Sequence, residues 1–210
     1  MNRQKALNVI DILSKLYPDA RPQLKYKNPF ELLIAVILSA QCTDKRVNIV
    51  TDKLFEKYST AQDMAKMPQQ TLEEIIYSCG LYKNKAKNII SASRAIVEKF
   101  GGNVPDNLKD LQSLSGVGRK TANVVYSVAF NKNAIAVDTH VFRVSNRIGL
   151  SKAKNVLLTE KQLMKTLPEN LWSKSHLLLI FHGRNICKAK PLCDICKLSS
   201  LCDYYLAENK

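Results

Sequence analysis

The chain has 210 residues and is 46% hydrophobic, enough to bury a core as one large domain or two interleaved ones without disulfide stapling. Lys and Arg number 32 against 18 Asp and Glu, a net charge of +14, which favours a polyanionic partner through counterion release. The first sixteen residues mix Arg3, Lys5, Asp11 and Lys15 with apolar residues, which is no secretory signal, and the longest apolar stretch, Phe30 to Ala40, is too short to span a bilayer. A cytoplasmic location is expected, and in that reducing compartment six cysteines favour metal ligation over disulfides.

Helical periodicity dominates the chain, and sustained alternation of the strand kind is almost absent, so the fold is expected to be all-α. In chain order the spacing predicts helices near 4–16, 29–40, 44–57, 69–77, 82–99, 107–112, 119–130, 139–148, 157–166 and 171–184. Pro18, Pro22, Pro68, Gly80, Gly101-Gly102, Pro105, Gly149 and Pro168 supply the breaks. The second helix reads as buried and central. Cys42 and Cys79 lie in apolar contexts and read as small buried hydrophobes. Gln41 reads as a polar residue at a helix end and Leu81 as a core leucine. Residues 185–210 read as a cysteine-rich loop.

The run Leu114-Ser115-Gly116-Val117-Gly118-Arg119-Lys120-Thr121 joins a short helix to a longer one. Gly116 and Gly118 permit positive φ angles, and the following helix opens with unpaired N–H donors at the positive end of its dipole, a site for an anion. No strand precedes the glycines and no Gly-x-x-x-x-Gly-Lys-Ser/Thr run is present, so dinucleotide and P-loop readings lose their context. In a basic chain the anion is a nucleic-acid phosphate. Lys120, at the start of a helix with a wide apolar face, is expected to be partly desolvated. It is either one more phosphate contact or a neutral amine able to form a Schiff base.

Asp138 precedes the next helix and reads as its N-cap, a role compatible with stabilising positive charge on a sugar ring. His140 is placed to donate to phosphate, while His176 and His182 read as structural. Cys187, Cys193, Cys196 and Cys202 form Cys-x5-Cys-x2-Cys-x5-Cys, a density of thiols that suits either a [4Fe–4S] cluster or tetrahedral zinc. Lys188, Lys190 and Lys197 interleave with them, as phosphate contacts or as plain surface charge.

Together, Leu-Ser-Gly-Val-Gly-Arg-Lys-Thr-Ala-Asn-Val-Val, Val-Asp-Thr-His-Val-Phe-Arg-Val and the four-cysteine loop closely resemble the endonuclease III family, bifunctional DNA glycosylases and AP lyases of the helix-hairpin-helix superfamily. The resemblance extends through Ser39-Ala40-Gln41-Cys42-Thr43-Asp44 and Gly80-Leu81-Tyr82-Lys83-Asn84-Lys85-Ala86. It implies a two-lobed all-α fold, with residues 22–132 carrying the hairpin and 1–21 plus 133–210 carrying a [4Fe–4S] cluster within 187–202. It implies duplex DNA bearing oxidised pyrimidines or abasic sites as partner, bent between the lobes with the lesion flipped out. A chain that encloses one DNA site is expected to be a monomer, associated with the nucleoid through DNA. Lys120 then matches the nucleophile and Asp138 the assisting carboxylate. Gln41 and Leu81 match residues that fill the gap left in the duplex, with Gly116, Val117, Gly118, Arg119, His140, Lys188 and Lys190 as further DNA contacts. Two departures stand out: Ser115 replaces the usual proline, and the first cysteine gap holds five residues where the family has six. The competing expectations are a monofunctional mismatch or adenine-type glycosylase, which normally lacks the lysine, and a non-catalytic metal-stabilised DNA-binding protein.

Overall fold

Two hydrophobic cores organise the chain, one built from residues 23–131 and the other from the residues up to Pro22 together with those from Lys132 onward. The structure, a computed structural model, describes residues 2–208. Every regular element among them is helical.

The 23–131 unit is built around α2 (Pro29–Leu38), whose residues from Phe30 to Leu38 are all buried. Ile34, Val36 and Ile37 are mediocre helix formers, by a few tenths of a kcal/mol each. Burying each contributes roughly 1.5–3 kcal/mol, so packing decides the conformation. Asn28 caps the helix and Pro29 occupies its first turn, where a missing N–H costs nothing. Around it lie α3 (Asp44–Phe55), α4 (Ala61–Lys66), α5 (Gln69–Ile76), α6 (Tyr82–Phe100), α7 (Leu108–Ser113) and α8 (Arg119–Ala129). α2 packs on α3, α6 and α8, and α6 also receives α4 and α5.

In the other unit, α1 (Arg3–Leu16) packs on α11 (Trp172–Asn185), which lies along α9 (Thr139–Ile148), and α10 (Val156–Thr166) and α12 (Asp203–Glu208) also contact α9. The strongly amphipathic α9 buries Val141, Val144, Ser145 and Ile148. Short 3-10 turns occur at Glu169–Leu171, Cys193–Ile195 and Ser199–Leu201.

All ten helices expected from periodicity are present, with ends shifted by at most two residues. α4 was not expected. Residues 185–210, expected as loop throughout, contain two 3-10 turns and α12. No described helix is long and apolar enough to cross a membrane.

Candidate nucleic-acid interface and cysteine centre

The hairpin forms between α7 and α8. Val117 N–H donates to the Leu114 carbonyl at 3.1 Å, and Gly116 sits at φ 77°, the left-handed third position of a type II turn. Ser115 occupies the second position of that turn, where proline is favoured. Its hydroxyl lies 2.8 Å from that of Ser91 on α6, a tether that proline would lack. Val117 is buried, so its side chain anchors the turn in the core while Gly116, Gly118, Arg119 and Lys120 stay exposed.

Gly118 departs from expectation. Its φ of −80° is open to any residue, and a Cβ there would meet nothing within 4 Å. Neither strain nor internal packing requires glycine at this position. The residue opens α8 without a side-chain cap, whereas Asn2, Asn28, Thr43, Thr60, Asn107, Asp138 and Asn155 each cap a helix. The start of α8 therefore presents its backbone donors and the positive end of its dipole without a capping side chain at its N-cap.

Lys120 is exposed at the second position of α8, contrary to the expected partial desolvation. The buried face of this helix is made by Ala122, Asn123, Val125 and Ser127, and a side chain in the first turn at another angle projects clear of the core.

Gln41 and Leu81 also read differently in three dimensions. Leu81 is 57% exposed, so it is not a core leucine. Both residues adopt left-handed backbone, φ 54° for Gln41 and φ 60° for Leu81, a conformation uncommon outside glycine and asparagine. They are neighbours: a Cβ built on Gly80 would lie 3.6 Å from the Gln41 carbonyl oxygen. Leu81 stands at the N-cap of α6, and α6 meets the hairpin further along, since a Cβ on Gly116 would lie 2.9 Å from Asn88 Cβ. One helix thus mounts both features about 10 Å apart, at ~1.5 Å per residue.

Lys85 escaped the sequence reading. It is 5% exposed, and its Nζ donates to the Leu38 and Ala40 carbonyls at 2.8 and 2.6 Å. Burial pushes its pKa down, opposed by the Cys79 and Cys42 thiols. The signal was available, because Lys85 shares the helical face of Ile89, Ala92 and Ile96. Cys79 is fully buried, and burial, followed by the neighbouring Cys42 thiol, pushes its pKa up to about 11.

In the other unit, Asp138 is half-buried and caps α9, its Oδ1 accepting from Val141 N–H at 2.8 Å. Arg143 Nη2 lies 3.2 Å from His140 Nδ1. A guanidinium only donates, so Nδ1 is the acceptor in this contact. Arg143 also donates to the Gly183 and Cys187 carbonyls at 3.0 and 3.1 Å, fixing α9 to the start of the cysteine segment. Arg147, one turn on, donates to the Lys188 and Ala189 carbonyls at 2.6 and 2.9 Å and lies over the Tyr204 ring. The Lys188 and Lys190 side chains remain exposed on the backbone thus held.

Cys187, Cys193, Cys196 and Cys202 line one apolar cavity, together with Arg147 and His182. The five-residue gap still brings all four thiols to it. Burial raises the pKa of Cys193, with Cys202 and Cys187 adding to it. Burial also raises that of Cys196, where the Leu198 backbone N–H opposes and the other three cysteines add. Such crowding of thiols is relieved by a cation at their centre. Arg147 Nη1 donates to Cys187 Sγ at 3.7 Å, and His182 Nε2 lies 3.6 Å from Cys196 Sγ. His182 is 1% exposed, its Nδ1 lies 3.2 Å from the Tyr17 hydroxyl, and burial holds its pKa near 4. His182, read from the sequence as structural, therefore belongs to this centre, whose donor set suits a metal cofactor.

Residues 34–169 match the model of the HhH-GPD superfamily of base excision DNA repair proteins. An endonuclease III of Synechocystis sp. is 50% identical over 202 residues, covering 95% of this chain and 92% of that protein. The structure of a trapped endonuclease III–DNA covalent intermediate superposes with a TM-score of 0.94 at 49% identity, covering all of both chains. That of a thermostable thymine-DNA glycosylase gives a TM-score of 0.85 at 28% identity, over 97% of this chain and 98% of that one.

Proposed function

This chain belongs to the HhH-GPD superfamily of base excision DNA repair proteins and, within it, to the endonuclease III family, and from that premise we propose how its own residues perform the family's chemistry. It is a DNA glycosylase with AP lyase activity that binds damaged duplex DNA. The observation that carries the assignment of roles is its full-length likeness to a protein trapped in covalent linkage to DNA. A covalent intermediate needs a nucleophile, and α8 opens with an exposed amine.

In this reading the uncapped start of α8 and the open space beside Gly118 receive a DNA phosphate, with Arg119 and Gly116 beside it. The target nucleotide, an oxidised or ring-damaged pyrimidine, is flipped from the stack. Gln41 and Leu81 fill the gap left behind, and His140, Lys188 and Lys190 contact the backbone. DNA supplies the enclosure that Lys120 lacks in the free chain. The amine forms a bond to C1′ as the damaged base leaves, and Asp138 stabilises the positive charge that grows on the sugar. Ring opening gives a Schiff base. Loss of a C2′ proton then expels the 3′ phosphate by β-elimination.

For the cysteine centre we favour a [4Fe–4S] cluster over zinc. All four thiols line one cavity, and their sequence holds a single Cys-x-x-Cys pair where zinc sites more often use two, which suits a cubane that takes one thiolate per iron. Cys187, Cys193, Cys196 and Cys202 would hold it, and its duty there is to fix the loop that carries Lys188 and Lys190.

Borohydride trapping tests the nucleophile. A duplex with one thymine glycol and a duplex with one abasic site are both expected to give covalent adducts, with undamaged DNA as control. Lys120→Ala is expected to abolish both while DNA binding survives. Near-normal trapping by the variant would remove Lys120 from its role, and trapping of the abasic duplex alone would leave a lyase with another base preference. The purified protein is expected to carry about four iron atoms per chain with visible absorbance; zinc in their place would refute the cluster.

A further inference from the structure

Lys85 is an ammonium buried in the unit that carries the hairpin, and among the described residues it is in no ion pair. Burying a charge without a carboxylate is costly, and a lysine could be replaced there by methionine at similar volume. Its partners are the carbonyl of Leu38, the last residue of α2, and the carbonyl of Ala40. Ala40 immediately precedes Gln41. The Lys85 backbone N–H meanwhile donates to the Leu81 carbonyl at 3.0 Å. One residue therefore grips the chain beside both exposed left-handed residues, by its side chain on one and its main chain on the other.

Left-handed backbone at a non-glycine residue costs on the order of 1–2 kcal/mol and persists only where the surroundings fix it. Neither Gln41 nor Leu81 is held by side-chain burial, because both are exposed. We propose that Lys85 is a positioning residue for duplex opening: its ammonium ties the end of α2 to the first turn of α6 and so presents Gln41 and Leu81 together at the face that fills the DNA gap. This rests on the gap-filling role of those two residues. Electrostatics suits the task, since carbonyls at a helix C-terminus carry partial negative charge and welcome a cation.

The test is a double-mutant cycle between Lys85→Met and the paired change Gln41→Ala with Leu81→Ala, in the metal-loaded protein. One readout is the fluorescence of 2-aminopurine placed opposite an abasic site, which rises as that base loses its stacking partners. The other is the borohydride trapping rate on abasic duplex and on abasic single strand, where no partner strand has to be opened. Lys85→Met is expected to suppress the fluorescence rise and slow duplex trapping about tenfold, leave single-strand trapping within about twofold, and add nothing to the paired variant. Equal loss on both substrates, or additivity with the paired change, overturns the proposal. A paired variant that behaves as wild type in both readouts refutes the gap-filling role itself, and the proposal falls with it. If Lys85→Met does not fold, Lys85→Gln, which keeps N–H donors, enters the same cycle; failure of both to fold marks a purely structural residue and overturns the proposal.

Discussion

Asp138 combines two properties that one substitution separates. Its Oδ1 accepts the Val141 N–H, and in the proposed mechanism its charge acts on the sugar. Asparagine caps helices as well as aspartate does but carries no charge. Asp138→Asn is therefore expected to keep stability within about 0.5 kcal/mol in chemical denaturation while base removal falls by about 100-fold or more in single-turnover assays. Asp138→Ala loses both, with about 1 kcal/mol of stability gone. A variant with asparagine that stays fully active would leave Asp138 only its cap. The cap itself was legible, because it depends on a few residues in sequence. The exposure of Lys120 and Leu81 was not, since it depends on which helix face the core occupies. Leu81 in particular looked apolar and therefore buried, a rule that holds poorly at an element's first residue.

At the scale of elements, the approach of α9 and α11 is set by Gly183. A Cβ there would lie 3.0 Å from both His140 Cβ and Val144 Cγ2. Gly183→Ala is expected to push His140 and Val144 by a few tenths of an ångström, a strain of about 1–3 kcal/mol that outweighs the roughly 1 kcal/mol of helix propensity alanine adds, read as a lower denaturation midpoint at unchanged slope. Because His140 is one of the atoms displaced, DNA affinity should weaken in parallel; an unchanged midpoint would show that the pair relaxes freely. Helix periodicity was enough to place the long elements, since three turns of apolar spacing are hard to counterfeit. It failed for α4 and α12, six residues each, where fewer than two turns give little period; α7 is as short but was marked by Leu108, Leu111 and Leu114. α4 owes its helix to packing of Ala61 and Met64 against α6, a tertiary cause that local pattern does not record.

For the whole molecule, two separate cores mean that damage to one need not melt the other. The cysteine centre belongs to the core of α1 and α9–α12. Removing its metal by chelation is expected to raise amide hydrogen exchange first in 185–202 and along α9 and α11, tethered to that segment by Arg143 and Arg147. The amides of α2 should keep their protection. Simultaneous loss in both units would show that they unfold as one. The net charge of +14 adds steep salt dependence, with a log–log slope of about −0.9 per phosphate contacted.

α6 has one more consequence. Leu81 stands at its start and Asn88 beneath the hairpin, and seven residues at about 100° each make nearly two full revolutions. The two attachments thus face almost the same way. Inserting a single residue between them would lengthen the span by only ~1.5 Å yet swing one attachment by about 100° relative to the other. Steps of about seven, eleven or eighteen residues, close to whole numbers of turns, preserve their common facing. Drift in length at this helix is therefore restricted to whole periods, while its exposed positions stay free to change identity.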